Sequence, residues 1–203
     1  MKIAVIGATG NVGKRIVAEA LHRNHSVTAI ARDPSKLTDR DGLTIIQGDA
    51  NDPAKLGMLL VGHDAIVSSI KFLDSDITLL VQAVRASGVS RYLIVGGAGS
   101  LEVSPGKLFL EHPDFPDFAK PEAIKGKEYL DYLKTIKNLD WTFLCPSALF
   151  EAGERTGVFR LGKDLLLIDK DGKSWISYED YAVALLDEIE NPQHIQQRFT
   201  VGY

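Results

Sequence analysis

One cysteine, Cys145, occurs in 203 residues, so no internal disulfide can staple this chain and its core must supply the stability. Long apolar runs are also missing. Nothing approaches the roughly 20 residues that span a bilayer, and no export signal precedes the first strand. A membrane partner is therefore not expected, and the expected location is cytoplasmic. An excess of either charge is lacking too: 23 Lys and Arg against 27 Asp and Glu leave a formal net charge of −4. That balance offers no electrostatic footprint for nucleic acid. Of five histidines only His22 and His25 are near neighbours, at the end of an expected helix whose carboxyl terminus they face, so no metal motif emerges. Cys145 precedes Pro146 without a base in its motif and reads as a packing residue.

What remains is an ordinary globular composition, 45% hydrophobic and 25% charged, in a length that favours one domain over residues 1–203. Short β-branched runs predict strands at Lys2–Ile6, Ser26–Ala31, Leu43–Gln47, Ala65–Ser68 and Arg91–Val95. Amphipathic stretches between them predict helices at Asn11–Arg23, Pro53–Leu60 and Ile77–Ser87. Alternation of this kind requires crossovers, hence an α/β, doubly wound Rossmann-type parallel sheet with helices on both faces. Beyond Gly99 the pattern changes. Residues 102–121 carry four prolines and three phenylalanines without periodicity and read as a lid-like loop. A helix over about Glu122–Lys137 and a strand at Trp141–Leu144 follow. Region 146–176 reads as a small C-terminal substrate region built on a hairpin of Gly157–Leu161 and Leu165–Asp169. Ser177 and Asp180 open the last helix in near capping-box spacing, and Arg198–Val201 can add a strand.

The first turn, Gly7-Ala8-Thr9-Gly10-Asn11-Val12-Gly13, follows a strand and opens a helix. Gly7 suits a tight turn, Gly10 a close approach of backbone to pyrophosphate, and Gly13 close helix–strand packing. Free N–H groups at the helix start then meet phosphate oxygens. In this context the motif predicts that Gly7, Thr9, Gly10, Asn11, Val12 and Gly13 bind a nicotinamide dinucleotide. Arg32, at the end of the second strand, suits the 2′-phosphate of NADP; the alternative is NAD, with Asp33 taking the ribose hydroxyl. Asp49 and Ala50, after the third strand, are expected to line the adenine pocket, with Asp52 as a helix cap. Ser68 and Ser69 are expected to pass backbone along the cofactor. Gly97, in Gly96-Gly97-Ala98-Gly99-Ser100, permits approach to the nicotinamide, and Ser100 is the candidate for orienting or protonating a substrate.

These residues resemble the short-chain dehydrogenase/reductase superfamily, in its atypical branch of NmrA-like proteins and biliverdin-type NADPH-flavin reductases. The glycine spacing, Arg32, Gly48-Asp49 and the segment before Ser100 carry the resemblance. The stretches Pro146–Gly157 and Ile176–Ala182 are similar to bacterial proteins described as NADH-flavin reductases. One departure matters. The superfamily's usual Tyr-x-x-x-Lys pair, which passes a proton to a carbonyl, is absent. Lys125 and Tyr129 have the spacing in reverse order, on what reads as a solvated helix face. The resemblance therefore implies hydride transfer from NADPH to FMN, FAD, a bilin or a quinone, which needs binding and orientation rather than a protein acid. Phe109, Phe115, Phe118 and Phe150 either cover such an acceptor or anchor their loops. The alternative it implies is a non-catalytic NmrA-like NADP sensor acting through a protein partner. Nothing points beyond a monomer or a small homo-oligomer.

Overall fold

The computed structural model describes residues 1–203. In chain order the elements are β1 (Lys2–Ile6), α1 (Asn11–His22), β2 (Ser26–Ala31), β3 (Leu43–Gln47), α2 (Pro53–Leu60), β4 (Ala65–Ser68), α3 (Ile77–Ser87), β5 (Arg91–Val95), β6 (Glu102–Ser104), β7 (Lys107–Leu108), α4 (Lys120–Lys134), β8 (Asp140–Cys145), β9 (Leu149–Glu151), β10 (Arg160–Gly162), β11 (Trp175–Ser177), α5 (Tyr178–Glu190) and β12 (Gln197–Gly202). The main sheet runs β3-β2-β1-β4-β5-β8-β12-β10. Every pair in it is parallel except the edge strand β10 against β12. This is the expected Rossmann-type fold. The strand order reverses direction between β1 and β4, where such sheets open a crevice at their carboxyl edge.

Strand periodicity explains the layers. Ile3 and Val5 face one side with α1 and α5, whereas Ala4 and Ile6 face the other with α2, α3 and α4. Both faces are covered, which is why β1 and β5 read as continuous apolar runs. Local chemistry ends the helices as expected: Asp52 accepts from the Lys55 N–H to cap α2, and Ser177 accepts from the Asp180 N–H to cap α5. No helix is long and apolar enough to cross a membrane.

Two expectations beyond Gly99 are corrected. Residues 102–121 are not free of elements: β6 and β7 pair antiparallel, and short helical turns follow at Phe109–Glu111 and Asp117–Ala119. The hairpin of 157–161 with 165–169 does not form. Arg160–Gly162 instead pairs with Gly202–Thr200 of β12, and Leu165 bridges to Glu102. The open edge of β12 and the backbone of Glu102 satisfy those groups, so the two limbs are captured by different neighbours. β9 and β11 pair with each other in parallel.

Candidate functional site

Two cavities lie at the carboxyl edge of the sheet, on either side of the loop that leaves β4. The first, about 310 Å³, is lined by strand ends and the segments after them: Gly7, Thr9 and Gly10 after β1, Arg32, Asp33 and Lys36 after β2, Gly48, Asp49 and Ala50 after β3, and Ser69, Ile70, Lys71 and Asp74 after β4. The second, about 520 Å³, lies under β5 and β8 and is closed by the 109–127 segment and the β8–β9 connection.

The glycines of the first turn divide into two kinds. Gly7 has φ +82°, and a Cβ there would stand 2.3 Å from the Ser69 carbonyl oxygen. A Cβ on Gly13 would stand 2.3 Å from the Gly7 carbonyl oxygen. The fold itself demands both. Gly10 differs: its φ of −69° is ordinary, and its Cβ would meet no atom closer than 3.3 Å. Its missing side chain keeps the cavity side open. The first intrahelical bond of α1 runs from the Lys14 N–H to the Gly10 carbonyl, and no side chain caps the helix. The N–H groups of Asn11, Val12 and Gly13 therefore have no helical acceptor, which suits an anion at this end. These features fit a dinucleotide pyrophosphate.

Around the far end of this cavity Arg32 is 67% exposed and stands 3.8 Å from Asp74. Asp33 accepts from both the N–H and the hydroxyl of Ser35, which holds its carboxyl below the usual carboxylate range. It caps a turn while still lining the cavity, beside the cations Arg32, Lys36 and Lys71. Asp49 accepts from the Asn51 N–H and lines the cavity beside the buried Ala50. Ser69 lines it as well. Ser68 does not: its hydroxyl accepts from Tyr92 in the core.

Gly97 and Ser100 fall in the second cavity. Gly97 could carry a Cβ, whose nearest neighbour would be Phe72 at 3.6 Å, so here too the backbone is left bare toward open space. Ser100 is 5% exposed, and its hydroxyl lies 3.7 Å from the Cys145 sulfur. Arg198 donates to the Ser100 carbonyl and to Asp164, which anchors this turn from β12. Burial pushes the Cys145 thiol up to about 11. Phe109, Phe115, Phe118 and Phe150 all line the cavity. Phe115 is buried edge-on against Phe109, Phe150 packs on Tyr178 and Tyr181, and Phe118 is 89% exposed.

Tyr129 is buried, not solvated. Its hydroxyl bonds Ser75 at 2.6 Å, burial pushes it up to about 12, and Lys125 pairs with Glu128 instead. No tyrosine, histidine or cysteine lines the second cavity. Sequence reasoning missed Lys36 and Lys71 in the first cavity and Phe72, Glu122, Ala123 and Gly126 in the second. Lys36 had a signal, since it lies four residues after Arg32 across a Pro-containing turn. The α4 residues had none, because periodicity tells which helix face is apolar but not what it meets.

Comparison with known proteins accords with this geometry. Residues 7–192 match the family described as NAD(P)H-binding. YwnB of Bacillus subtilis, itself uncharacterized, is 40% identical over 211 residues, covering 99% of this chain and 98% of that one. A solved structure of a candidate epimerase from Bacteroides thetaiotaomicron has TM-score 0.95 at 39% identity and covers 100% of this chain and 96% of its own. Another, of a candidate NADH-flavin reductase from Streptococcus pneumoniae, has TM-score 0.87 at 36% identity, with coverage of 100% and 99%. One backbone thus carries two activity names, and chemistry has to be read from side chains. Because the match begins at the first glycine of the turn and runs through α5 to Pro192, the chain belongs to the NAD(P)H-binding family.

Proposed function

We propose that the protein is an NADPH-dependent reductase that passes hydride to a flat conjugated acceptor, a flavin, bilin or quinone, seated in the second cavity. The observation that carries this is the composition of that cavity: largely aromatic, glycine and alanine surface with no tyrosine, histidine or cysteine, and with its charged groups engaged elsewhere, Glu122 on the Phe72 and Leu73 N–H groups, Lys127 on Asp131, and Asp114 86% exposed at the rim. Reduction of a ketone, or epimerisation through one, needs a positioned acid or base. A conjugated ring system can take its proton from water, so the site has to bind, orient and shield.

In this reading the α1 N–H groups hold the pyrophosphate, Arg32 and Lys36 receive the 2′-phosphate, and Asp49 and Ala50 line the adenine end. The backbone at Ser69 and Gly97 passes along the cofactor between the two cavities. When bound, NADPH supplies one hydride; with one solvent proton the balance is NADPH + H⁺ + acceptor → NADP⁺ + reduced acceptor. Ser100 belongs to the floor on which the acceptor lies, and Phe118 is placed to close over it.

The test is anaerobic NADPH oxidation against riboflavin, FMN, menadione and biliverdin, with NADH as the paired control. Saturable, acceptor-dependent oxidation that prefers NADPH is expected. Tight NADPH binding without turnover on any acceptor would sink the reductase reading and favour a sensor.

A further inference from the structure

The two cavities differ in whether an uncommitted cation is available to a ligand. In the first, Arg32, Lys36 and Lys71 stand among the lining residues beside Asp33, Asp49 and Asp74; Arg32 lies 3.8 Å from Asp74, and neither lysine is committed to an ion pair. In the second, the one cation is Lys127, which is paired with Asp131 at 2.6 Å. The acids beside it are not neutralised by any lysine or arginine. Asp114 is 86% exposed with only His112 near it, at 3.7 Å, and Glu122 accepts from the backbone N–H groups of Phe72 and Leu73. Glu111 adds a further acid in the same segment, while Asp117 is paired with Lys120.

From this contrast we propose that the acceptor cavity selects against phosphate: its substrate is an uncharged flat acceptor of the riboflavin or quinone kind, not FMN or FAD. The inference rests on the reductase reading and sharpens it. A phosphoryl group brings roughly −1.5 to −2 charges at neutral pH. At the second cavity it would meet two uncompensated carboxylates and no free cation, whereas the first cavity has the cations that a cofactor phosphate needs. Screened interactions of this size over about 8 Å amount to a roughly fivefold difference in affinity at low salt, shrinking as ionic strength rises. The electron balance is that given above, with riboflavin and its dihydro form as the acceptor pair.

Riboflavin and FMN differ only in the phosphate, so they isolate the effect. Their fluorescence is titrated with protein saturated in NADP⁺, which measures binding without turnover. Riboflavin is expected to bind about fivefold more tightly than FMN at low salt, with the gap closing in high salt. Asp114→Lys, which reverses a charge at the rim, moves the ratio toward unity or beyond. Tighter binding of FMN than of riboflavin at low salt would overturn the phosphate-exclusion inference while leaving the reductase reading in place. If neither flavin binds while NADP⁺ does, and menadione is not reduced, the reductase reading itself fails and the inference falls with it.

Discussion

Replacing the three glycines of the first turn by alanine, one at a time, separates the demands of the fold from those of the cofactor. Gly7→Ala forces a side chain into a left-handed backbone at φ +82° and against the Ser69 carbonyl at 2.3 Å. Left-handed strain costs about 1–2 kcal/mol and overpacking about 1–3 kcal/mol, so a loss of about 3 kcal/mol is expected. For a chain of this size that lowers Tm by roughly 6–12 °C. Gly13→Ala meets the Gly7 carbonyl at the same distance but lies in a helix, where alanine recovers about 1 kcal/mol; its net cost is therefore smaller. Gly10→Ala has ordinary φ and no contact under 3.3 Å, so about 0.5 kcal/mol is expected, a shift of roughly 1–2 °C. Its methyl group stands on the cavity side, where it would crowd a pyrophosphate and weaken NADPH by about tenfold, equivalent to about 1.4 kcal/mol. Differential scanning calorimetry and NADPH titration measure the two quantities independently. A Gly10→Ala protein that binds NADPH as the parent does, or a Gly7→Ala protein of unchanged Tm, would refute the division.

Other substitutions probe the remaining assignments. Arg32→Ala should weaken NADPH about tenfold and leave NADH within twofold, because a charge-assisted phosphate contact at an exposed site is worth about 1.5 kcal/mol; equal losses for both cofactors would remove Arg32 from the 2′-phosphate site. Ser100→Ala should keep turnover within about threefold if the proton comes from solvent, whereas a drop of about 100-fold would make this hydroxyl the donor. Glu19 gives a pH dependence. Hydrogen bonding from Arg155, aided by Arg23, outweighs burial and holds its carboxyl at about 2 instead of the usual 4.5. A depressed folded-state value adds stability above the unfolded value that disappears as pH falls through the folded one. With Arg155 partly exposed, about 2 kcal/mol is expected above pH ~5, lost progressively toward pH ~2. Urea unfolding of Glu19→Gln should therefore trail the parent at neutral pH and converge with it in acid; a constant gap would contradict the linkage.

The N-terminal half was legible because local and global signals agree there. The strands β1 to β5 are apolar runs bounded by glycine, polar turns or proline, and their parallel pairing follows from the helices between them. Cavity residues at strand ends, Gly7, Arg32, Asp49, Ser69 and Gly97, were readable for the same reason: open α/β sheets bind ligands at their carboxyl edges. The C-terminal part was not. β9, β10 and β11 are three-residue strands, too short for period-two alternation, and each pairs with a segment far along the chain. Ser68 shows the limit of position alone. It ends β4 as expected, yet strand alternation turns its hydroxyl into the core toward Tyr92, leaving Ser69 at the cavity. The charge of the second cavity was equally hidden, since Asp114, Glu122 and Lys127 converge only through the fold of the 109–127 segment.

The central claim is that the acceptor sits in the second cavity while the cofactor's adenine and phosphates are held in the first, and Ala148→Phe tests it most directly. Ala148 lines the larger cavity beside Leu149 and Phe150 and no part of the smaller one, so a phenyl ring there fills acceptor space alone. NADPH affinity by titration should stay within about threefold, while acceptor-dependent NADPH oxidation falls by at least about twentyfold, a barrier change of roughly 1.8 kcal/mol. Undiminished turnover, with the substituted protein folded and binding NADPH, would contradict the assignment.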